Sequence, residues 1–259
     1  MNDDPVSRAM AEMAEERLKT PDLCARGLVK AYGDRTVVKG MDVACSCGEI
    51  VGVLGPNGAG KTTTFYMIVG LVRADGGSVV FRGVDMTRLP VYKRARLGLG
   101  YLAQEPSVFR KLSVKDNVMA VLETLPLSRK ERKARAEELL APFDLLKVAS
   151  QPAYTLSGGE RRKLEIARAL ARNPAILMLD EPFAGVDPLS VCEIQEIVRN
   201  LAASGLGIII TDHNVRETLS TVHRAYLVYD GMLLREGTSE ELVGDPEVRE
   251  KYLGENFRM

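Results

Sequence analysis

The chain has 259 residues, and its 35 lysines and arginines balance 35 aspartates and glutamates, so the formal net charge is zero. This balance argues against a whole-chain polyanion binder, and the length supports one large or two small domains with a buried core. No apolar run approaches the ~20 residues that span a bilayer. The acidic N-terminus lacks the basic segment followed by an apolar segment that is typical of a signal peptide. We therefore expect a cytoplasmic protein.

The first part of the chain is predicted to be a charged tail followed by β-structure. Residues 1–20 carry only a weak apolar stripe and are expected to be flexible. Residues 23–29 and 37–44 read as strands around a turn at residues 32–34. The four cysteines form no arrangement of two close pairs, and with only two histidines in the chain we interpret them as reduced packing residues.

A glycine-rich segment between an apolar run (residues 50–54) and a helix-like run (residues 63–69) has the spacing G-x-x-x-x-G-K-[ST]. Glycines allow successive N–H groups to point at phosphate oxygens, and the helix start adds positive potential. The lysine would reach the β- and γ-phosphates, and the threonine after it would ligate Mg²⁺. A glycine-rich turn without a ligand is the alternative. The predicted nucleotide-binding residues are Gly55, Pro56, Asn57, Gly58, Ala59, Gly60, Lys61, Thr62 and Thr63.

The middle of the chain changes from strands to helices. Strands are predicted at residues 78–81 and 99–102, with a short basic helix at 90–96, and the second strand leads to Gln104 at a sheet edge where ligands gather. Helices then follow one another after Ser113, Ser128 and Ser157, each a good N-cap residue. Consecutive helices without a strand between them predict a helical lobe inserted into an α/β body.

An apolar strand at residues 175–179 ends in Asp180 and Glu181. A strand that is apolar on both faces belongs in the middle of a parallel sheet, and carboxylates at its end are costly unless they meet a cation or a catalytic water. Asp180 therefore reads as the Mg²⁺ ligand and Glu181 as a general base. Two solvated loop acids are the alternative.

The last third is predicted to add one helix, one core strand and a hairpin. The helix starts at Asp187 and Pro188 and runs to about residue 202, and the strand at residues 207–211 leads to His213. The hairpin covers residues 224–235, and two short helices end the domain near residue 253. His213 follows a core strand on the same side as the two acids, although a lone histidine is more often structural.

Residues 156–160 read L-S-G-G-E and resemble the L-S-G-G-Q signature of ABC ATPases. With Gln104, Asp180, Glu181, Asp187 and His213, the full set of family motifs occurs in order over residues 22–253. The resemblance implies a P-loop NTPase (RecA-like) α/β core with an antiparallel β subdomain. We expect the domain at residues 21–253, a helical subdomain at about 105–171 and a C-terminal tail at 254–259. Glu160 and residues 184–187 depart from the usual pattern without removing a catalytic group.

The family resemblance also implies an ATPase that works as a head-to-tail homodimer with two ATP molecules between the protomers. Lys61, Gln104, Glu181 and His213 would be catalytic, and Mg²⁺ would be held by Thr62, Gln104 and Asp180. Tyr32 would stack on adenine. The segment that contacts the other protomer's ATP would comprise Ser157, Gly158, Gly159, Glu160 and Asp187.

Three longer runs resemble the ATPase family of lipopolysaccharide export systems: residues 100–114, residues 181–188 with 211–218, and residues 252–259. That resemblance implies two integral membrane subunits as partners and a position on the cytoplasmic face of the inner membrane. Phe109 and Arg110 would contact those subunits, with core packing of Phe109 as the alternative. Ala103, where the family usually has proline, is a departure.

Three alternative readings stand beside this one. The motifs are also close to those of the ATPase subunit of a branched-chain amino-acid importer. A soluble ABC ATPase acting on ribosomes or nucleic acid usually carries two ATPase sets or a long coiled-coil insertion, and the charge balance argues against nucleic acid as a partner. A P-loop kinase would have no reason to carry residues 156–160.

Overall fold

The computed structural model describes residues 21–254 and residue 257; the tail predicted at residues 1–20 lies outside this range. The chain begins with an antiparallel sheet of four strands in the order β2-β1-β4-β5. Its strands alternate buried and exposed residues, as expected when one face packs on a core and the other meets water. They are β1 (Leu23–Tyr32), β2 (Arg35–Cys45), β4 (Gly76–Phe81) and β5 (Val84–Asp85).

A second sheet forms the body and has six strands in the order β10-β9-β3-β8-β7-β6. Strands β3, β6, β7, β8 and β9 are parallel, and β10 pairs with β9 in the antiparallel sense. Every residue of β3, β7 and β8 is buried, which confirms the prediction of a strand inside a parallel sheet for β7 and of a core strand for β8. The strands are β3 (Ile50–Leu54), β6 (Leu99–Leu102), β7 (Ile176–Asp180), β8 (Gly207–Thr211), β9 (Arg224–Tyr229) and β10 (Met232–Gly237).

Helices cover both faces of the body, and three of them, α3 to α5, form the helical lobe between β6 and β7. None of the helices in the described part of the chain combines the length and the apolar character needed to cross a membrane. The helices are α1 (Lys61–Val69), α2 (Val91–Leu97), α3 (Val114–Leu122), α4 (Arg129–Leu140), α5 (Gly158–Leu170), α6 (Pro188–Ala203), α7 (Val215–Leu219), α8 (Ser239–Gly244) and α9 (Pro246–Val248).

Side chains that alternate along the central strands pack into two separate hydrophobic cores, one on each face of the sheet. Val51 and Met178 pack with α1 and the antiparallel sheet, whereas Ile50 and Leu177 pack with the helical lobe and α6. Phe257, which the sequence places in the C-terminal tail, packs against the second of these cores. The central sheet therefore holds the β subdomain on one face and the helical lobe on the other.

The structure departs from the predicted elements mainly at their ends. Helix α3 ends at Leu122, four residues before Pro126, which disfavours helical backbone at the residue preceding it. The two-residue strand β5 and the five-residue helix α7 were not predicted, since both are too short to show a hydrophobic period.

Candidate functional site

The glycine-rich segment forms the turn between β3 and α1, as predicted. Gly55, Gly58 and Gly60 all have positive φ values, of 152°, 80° and 101°. At residue 55 a Cβ atom would lie 2.1 Å from the Val228 carbonyl oxygen, so only glycine fits beside β9. Strand β9 therefore fixes where the glycine-rich loop of residues 55–60 begins after β3. We call this segment the phosphate loop, after the ligand predicted for it.

Lys61, the first residue of α1, is buried beneath this loop. Its Nζ donates hydrogen bonds to the carbonyl oxygens of Gly55 (2.6 Å) and Pro56 (3.0 Å). Burial lowers the pKa of Lys61, and the nearby charges of Glu181, Asp180 and Asp212 act in the opposite direction. The lysine beneath the phosphate loop and the acids at the strand ends therefore lie close enough for their charges to interact.

Asp180 ends β7 with a fully buried carboxylate. It accepts hydrogen bonds from the Thr211 hydroxyl (2.6 Å) and the Tyr101 hydroxyl (3.3 Å). Burial raises the pKa of Asp180, which means that the anion is poorly compensated by its protein neighbours. A cation at this carboxylate would relieve that cost. The described residues contain no group of three or more His, Cys, Asp or Glu side chains that could hold a metal ion.

Glu181 is the point where the predicted catalytic residues meet. The Gln104 amide Nε2 donates to its carboxylate at 2.9 Å, and the His213 Nδ1 lies 3.2 Å from the same oxygen. The residue has a positive φ of 46°, an uncommon backbone conformation outside glycine that turns the chain sharply after β7. Three segments far apart in sequence therefore converge on one carboxylate.

Asp212 is a buried acid beside this group to which the sequence analysis gave no role. Its carboxylate accepts hydrogen bonds from the backbone N–H groups of Asn214 (2.8 Å) and Phe183 (3.2 Å), and lies 3.5 Å from the His213 Nδ1. Burial raises the pKa of Asp212. Its place directly after a core strand is the signal that could have identified it, because Glu181 occupies the equivalent place after β7.

Arg162 is a second residue that the sequence analysis missed. The guanidinium is buried and donates to the carbonyl oxygens of Asp180, Glu181 and Pro182, and also to that of Ala103. It forms an ion pair with the buried Glu165 at 3.0 Å. Arg162 thus links helix α5 to the backbone on either side of Glu181. A run of basic residues in the sequence gives no sign of which one is buried.

Residues 156–160 form the start of α5, as predicted. Ser157 caps the helix in a reciprocal box: its hydroxyl accepts from the Glu160 N–H (3.2 Å), and its own N–H donates to the Glu160 carboxylate (2.9 Å). A Cβ atom at Gly159 would lie 2.2 Å from the Ser190 Oγ, so the segment packs closely against α6. Asp187 caps α6 by accepting from the Ser190 N–H, which lowers the pKa of Asp187.

The structure does not bring every predicted residue into this group. Among the described residues, no hydrogen bond joins Ser157 or Tyr32 to the cluster of Gln104, Glu181 and His213. Tyr32 ends β1 with its ring 51% exposed, 5.4 Å from the Lys30 ammonium. One chain therefore joins Gln104, Glu181 and His213 by hydrogen bonds, whereas in the described residues Ser157 and Tyr32 share no hydrogen bond with them.

Phe109 lies on the surface of the molecule, which removes the core-packing alternative. Its ring is 50% exposed and stacks against the Arg168 guanidinium at 4.8 Å. The Asn117 side chain brackets the Phe109 backbone, accepting from its N–H (2.8 Å) and donating to its carbonyl (3.0 Å). The fold thus presents an aromatic ring and a cation on a fixed backbone beside the exposed Arg110.

Comparison with protein-family models finds the ABC transporter family over residues 38–184. The chain is 56% identical over 237 residues to the lipopolysaccharide export system ATP-binding protein LptB of Acidithiobacillus ferridurans, which covers 92% of this chain and 98% of that protein. It is 53% identical to LptB of Escherichia coli K12, over 92% of this chain and 99% of that protein. An uncharacterized ABC transporter ATP-binding protein of Rhizobium meliloti is 51% identical over 256 residues, 98% of this chain and 95% of that protein.

Solved structures give the same picture of the fold. The ADP conformation of an ATP-binding cassette of an ABC transporter matches with a TM-score of 0.81 and 28% identity, over 90% of this chain and 98% of that chain. A dimeric cassette described as a post-hydrolysis state with bound ADP and Pi matches with a TM-score of 0.74 and 25% identity, over 84% of this chain and 98% of that one.

Proposed function

Because this chain belongs to the ABC transporter family, as an ATP-binding protein, we propose that it is the ATPase subunit of a lipopolysaccharide export system. It hydrolyses ATP to ADP and phosphate and couples this reaction to transport. The observation that carries the catalytic assignment is the convergence of Gln104 and His213 on Glu181, next to the phosphate loop. We place the ATPase domain at residues 21–253, with the helical lobe at about 105–171 inserted.

The phosphate loop binds the triphosphate. Backbone N–H groups of residues 55–63 and the start of α1 face the anion, and Lys61 exchanges its two carbonyl partners for phosphate oxygens. Because Lys61 is already buried, this exchange requires little further desolvation of the ammonium. Tyr32, with an exposed ring at the end of β1, stacks on the adenine.

Mg²⁺ would be held by the hydroxyl of Thr62, the side-chain oxygen of Gln104 and the carboxylate of Asp180, together with phosphate oxygens. The residues fit the ion, since all three offer oxygen ligands and the buried Asp180 carboxylate lacks a compensating charge. When bound, the ion supplies charge neutralisation at the phosphates. Thr211 and Tyr101 orient the carboxylate by donating to it.

Glu181 orients the attacking water and accepts its proton during phosphoryl transfer. Gln104 and His213, both hydrogen-bonded to the carboxylate, fix its position and lie where they contact the water and the γ-phosphate. Arg162 donates a hydrogen bond to the backbone carbonyl of Glu181 and so helps to fix its position. This division of roles follows from phosphoryl transfer itself, in which positioning and charge stabilisation supply most of the catalysis.

The second half of the ATP site comes from another copy of the chain. Ser157 begins α5 with its helix dipole directed outward, and the same kind of helix start binds phosphate in the glycine-rich loop. In a head-to-tail homodimer, Ser157 to Glu160 and Asp187 of one protomer cover the ATP that is bound by the other. The related cassette described as dimeric with ADP and Pi supports this arrangement.

Two integral membrane subunits are the proposed partners, which places the ATPase at the cytoplasmic face of the inner membrane. Phe109 and Arg110 form the contact. An exposed ring stacked on a guanidinium is a favourable anchor for an amphipathic helix end. The names of the two relatives at 56% and 53% identity support lipopolysaccharide as the transported molecule.

Affinity purification of the Glu181→Gln chain with ATP from its own membranes tests this function. We expect the two membrane subunits of lipopolysaccharide export to co-purify. Recovery of amino-acid permease subunits would overturn the transported substrate, and recovery of ribosomes without membrane proteins would overturn the transporter assignment. Phe109→Ala should reduce co-purification, whereas Leu146→Ala, which removes another exposed apolar side chain of the lobe, should not. Equal recovery with both variants would refute the Phe109 contact.

A further inference from the structure

Glu160 is the position at which the L-S-G-G-E segment departs from the L-S-G-G-Q signature, and the proposed function does not explain its charge. Glutamate and glutamine have nearly the same shape, so the departure consists mainly of one added negative charge. Glu160 lies in the first turn of α5, three residues after Ser157. An anion is therefore fixed at the helix start that is proposed to meet the ATP of another copy.

The Glu160 carboxylate is bonded to the start of its own helix. It accepts a hydrogen bond from the Ser157 N–H at 2.9 Å, and the Glu160 N–H donates to the Ser157 hydroxyl oxygen at 3.2 Å. Backbone N–H groups around a helix start lack partners within the helix, and they are the groups that bind phosphate. The carboxylate also offsets the positive end of the helix dipole. Helix α5 thus carries an anion of its own.

The helix after the phosphate loop starts without such an anion. Helix α1 follows Gly60, which provides no side-chain cap, and the first turn of α1 contains no acidic residue. The N–H groups at this start are left to the ligand, and Lys61 adds a positive charge beside them. The two helix starts that are proposed to bind ATP therefore differ in charge, and only the start of α5 opposes a phosphate.

The charge of Glu160 is not balanced by an ion pair. Among the residues that the structure describes, no lysine or arginine forms a salt bridge with it. Three cations that lie near Glu160 in the sequence or act on its charge pair with other carboxylates instead. These pairs are Arg162 with Glu165, Lys163 with Glu193, and Lys147 with Asp144. The carboxylate therefore retains a negative charge that acts on a second anion.

We propose that Glu160 weakens the ATP-bound dimer by repelling the phosphate of the other copy's nucleotide and by competing for the Ser157 N–H. This inference rests on the proposed head-to-tail dimer and concerns how tightly that dimer closes. With glutamate at this position the closed dimer is weaker than it would be with glutamine, which favours reopening after hydrolysis. Glu160 thus sets the stability of the closed state without taking part in the chemical step.

Two other helices of the described chain start with the same capping box, which allows this role to be separated from ordinary capping. At the start of α4 the Ser128 N–H donates to the Glu131 carboxylate at 2.7 Å. At the start of α8 the Thr238 N–H donates to the Glu241 carboxylate at 2.8 Å. Neither start belongs to the proposed ATP site. Because glutamine also completes a capping box, a change from glutamate to glutamine removes the charge and keeps the cap.

The dimer dissociation constant of the full-length Glu181→Gln chain, measured by sedimentation with ATP and Mg²⁺, tests the proposal. Adding Glu160→Gln should lower this constant by about tenfold, since a charge at a helix start changes binding by about threefold and the dimer has two such sites. Adding Glu131→Gln should leave the constant unchanged. The gain from Glu160→Gln should shrink as salt rises from about 0.05 M to about 0.5 M, because ions screen exposed charges.

Equal dissociation constants with and without the Glu160→Gln change would overturn the inference and leave the ATP dimer intact. Weaker association, or a gain that does not vary with salt, would also contradict it, because the carboxylate would then act by contact and not by charge. If no variant associates with ATP, the head-to-tail dimer of the proposed function fails, and this inference fails with it. A salt-dependent gain that is confined to Glu160→Gln supports the proposal.

Discussion

The phosphate loop and the start of α5 both lie at helix N-termini, which are suited to anions. The two differ in burial and in hydrogen-bond partners. At the phosphate loop, Lys61 is buried and bonded to two loop carbonyls, and three carboxylates act on its charge. At the start of α5, Ser157 is on the surface, and its hydroxyl and N–H exchange hydrogen bonds with Glu160 of its own helix. The first site is assembled within one chain, and the second presents its helix start outward.

In the proposed dimer, this difference would make hydrolysis dependent on assembly. Gln104 and His213 meet Glu181 within one chain, so the proposed water-activating group is complete in a single copy. The helix start that would complete the phosphate contacts is proposed to come from another copy. Arg162 joins the two regions within one chain, because it lies on α5 and donates to the carbonyls around Glu181.

Removing Arg162 should give the largest loss of stability. In Arg162→Met the buried Glu165 loses its ion-pair partner and the carbonyls of Asp180 and Glu181 lose their donor, so we expect the free energy of unfolding to fall by about 3–5 kcal/mol. Urea unfolding measures this change. Arg135→Met breaks another Arg–Glu pair at i,i+3 spacing and 3.0 Å, but an exposed one, and should cost at most about 1 kcal/mol. Similar losses of unfolding free energy in both variants would contradict the role of Arg162 as a buried link between α5 and the backbone around Glu181.

Glu181→Gln should separate binding from hydrolysis. The amide keeps the shape of the side chain but cannot accept a proton, so phosphate release should fall by at least about 100-fold while ATP affinity is retained. Glu196→Gln, a change at an exposed acid on α6, should leave both unchanged. Near-normal turnover in Glu181→Gln would refute its role as the base.

The N-cap serines of α4 and α5 allow a matched test of the start of α5. Ser157→Ala and Ser128→Ala each remove the hydroxyl of a capping box, and each should cost about 1 kcal/mol of stability. Only Ser157→Ala should also weaken ATP-dependent self-association, measured by light scattering with hydrolysis blocked by Glu181→Gln. If both variants associate equally well, Ser157 does not contact the partner's nucleotide.

Tyr32 should have the smallest effect. Tyr32→Ala removes a stacking surface worth about 1 kcal/mol, so the KM for ATP should rise roughly fivefold with little change in kcat. Tyr32→Phe keeps the ring and should behave as the wild type. An unchanged KM in Tyr32→Ala would place the adenine elsewhere.

Much of the site was predictable because its residues stand at the ends of strongly patterned elements. The central strands have continuous apolar runs; Asp180 and Glu181 stand at the end of β7, and His213 lies two residues after β8. Ser113, Ser128 and Ser157 were each expected as N-caps, and each accepts the hydrogen bond of a cap. These signals are local in the sequence.

Contacts between distant segments could not be predicted in the same way. Arg162 is one of several basic residues around the start of α5, and only packing selects it for burial against carbonyls some 20 positions away. The exposure of Phe109 depends in the same way on how the lobe packs. Asp212 is the exception, because its position after a core strand was visible in the sequence.

Mixing two inactive variants tests the central claim, that each ATP site is completed by a second copy. Lys61→Ala removes the phosphate-loop lysine, and Ser157→Arg blocks the start of α5; each variant alone should release almost no phosphate. Mixed in equal amounts, they form heterodimers with one intact composite site, so we predict a recovery of up to about a quarter of wild-type activity. A mixture no more active than its components would contradict a site shared between two chains.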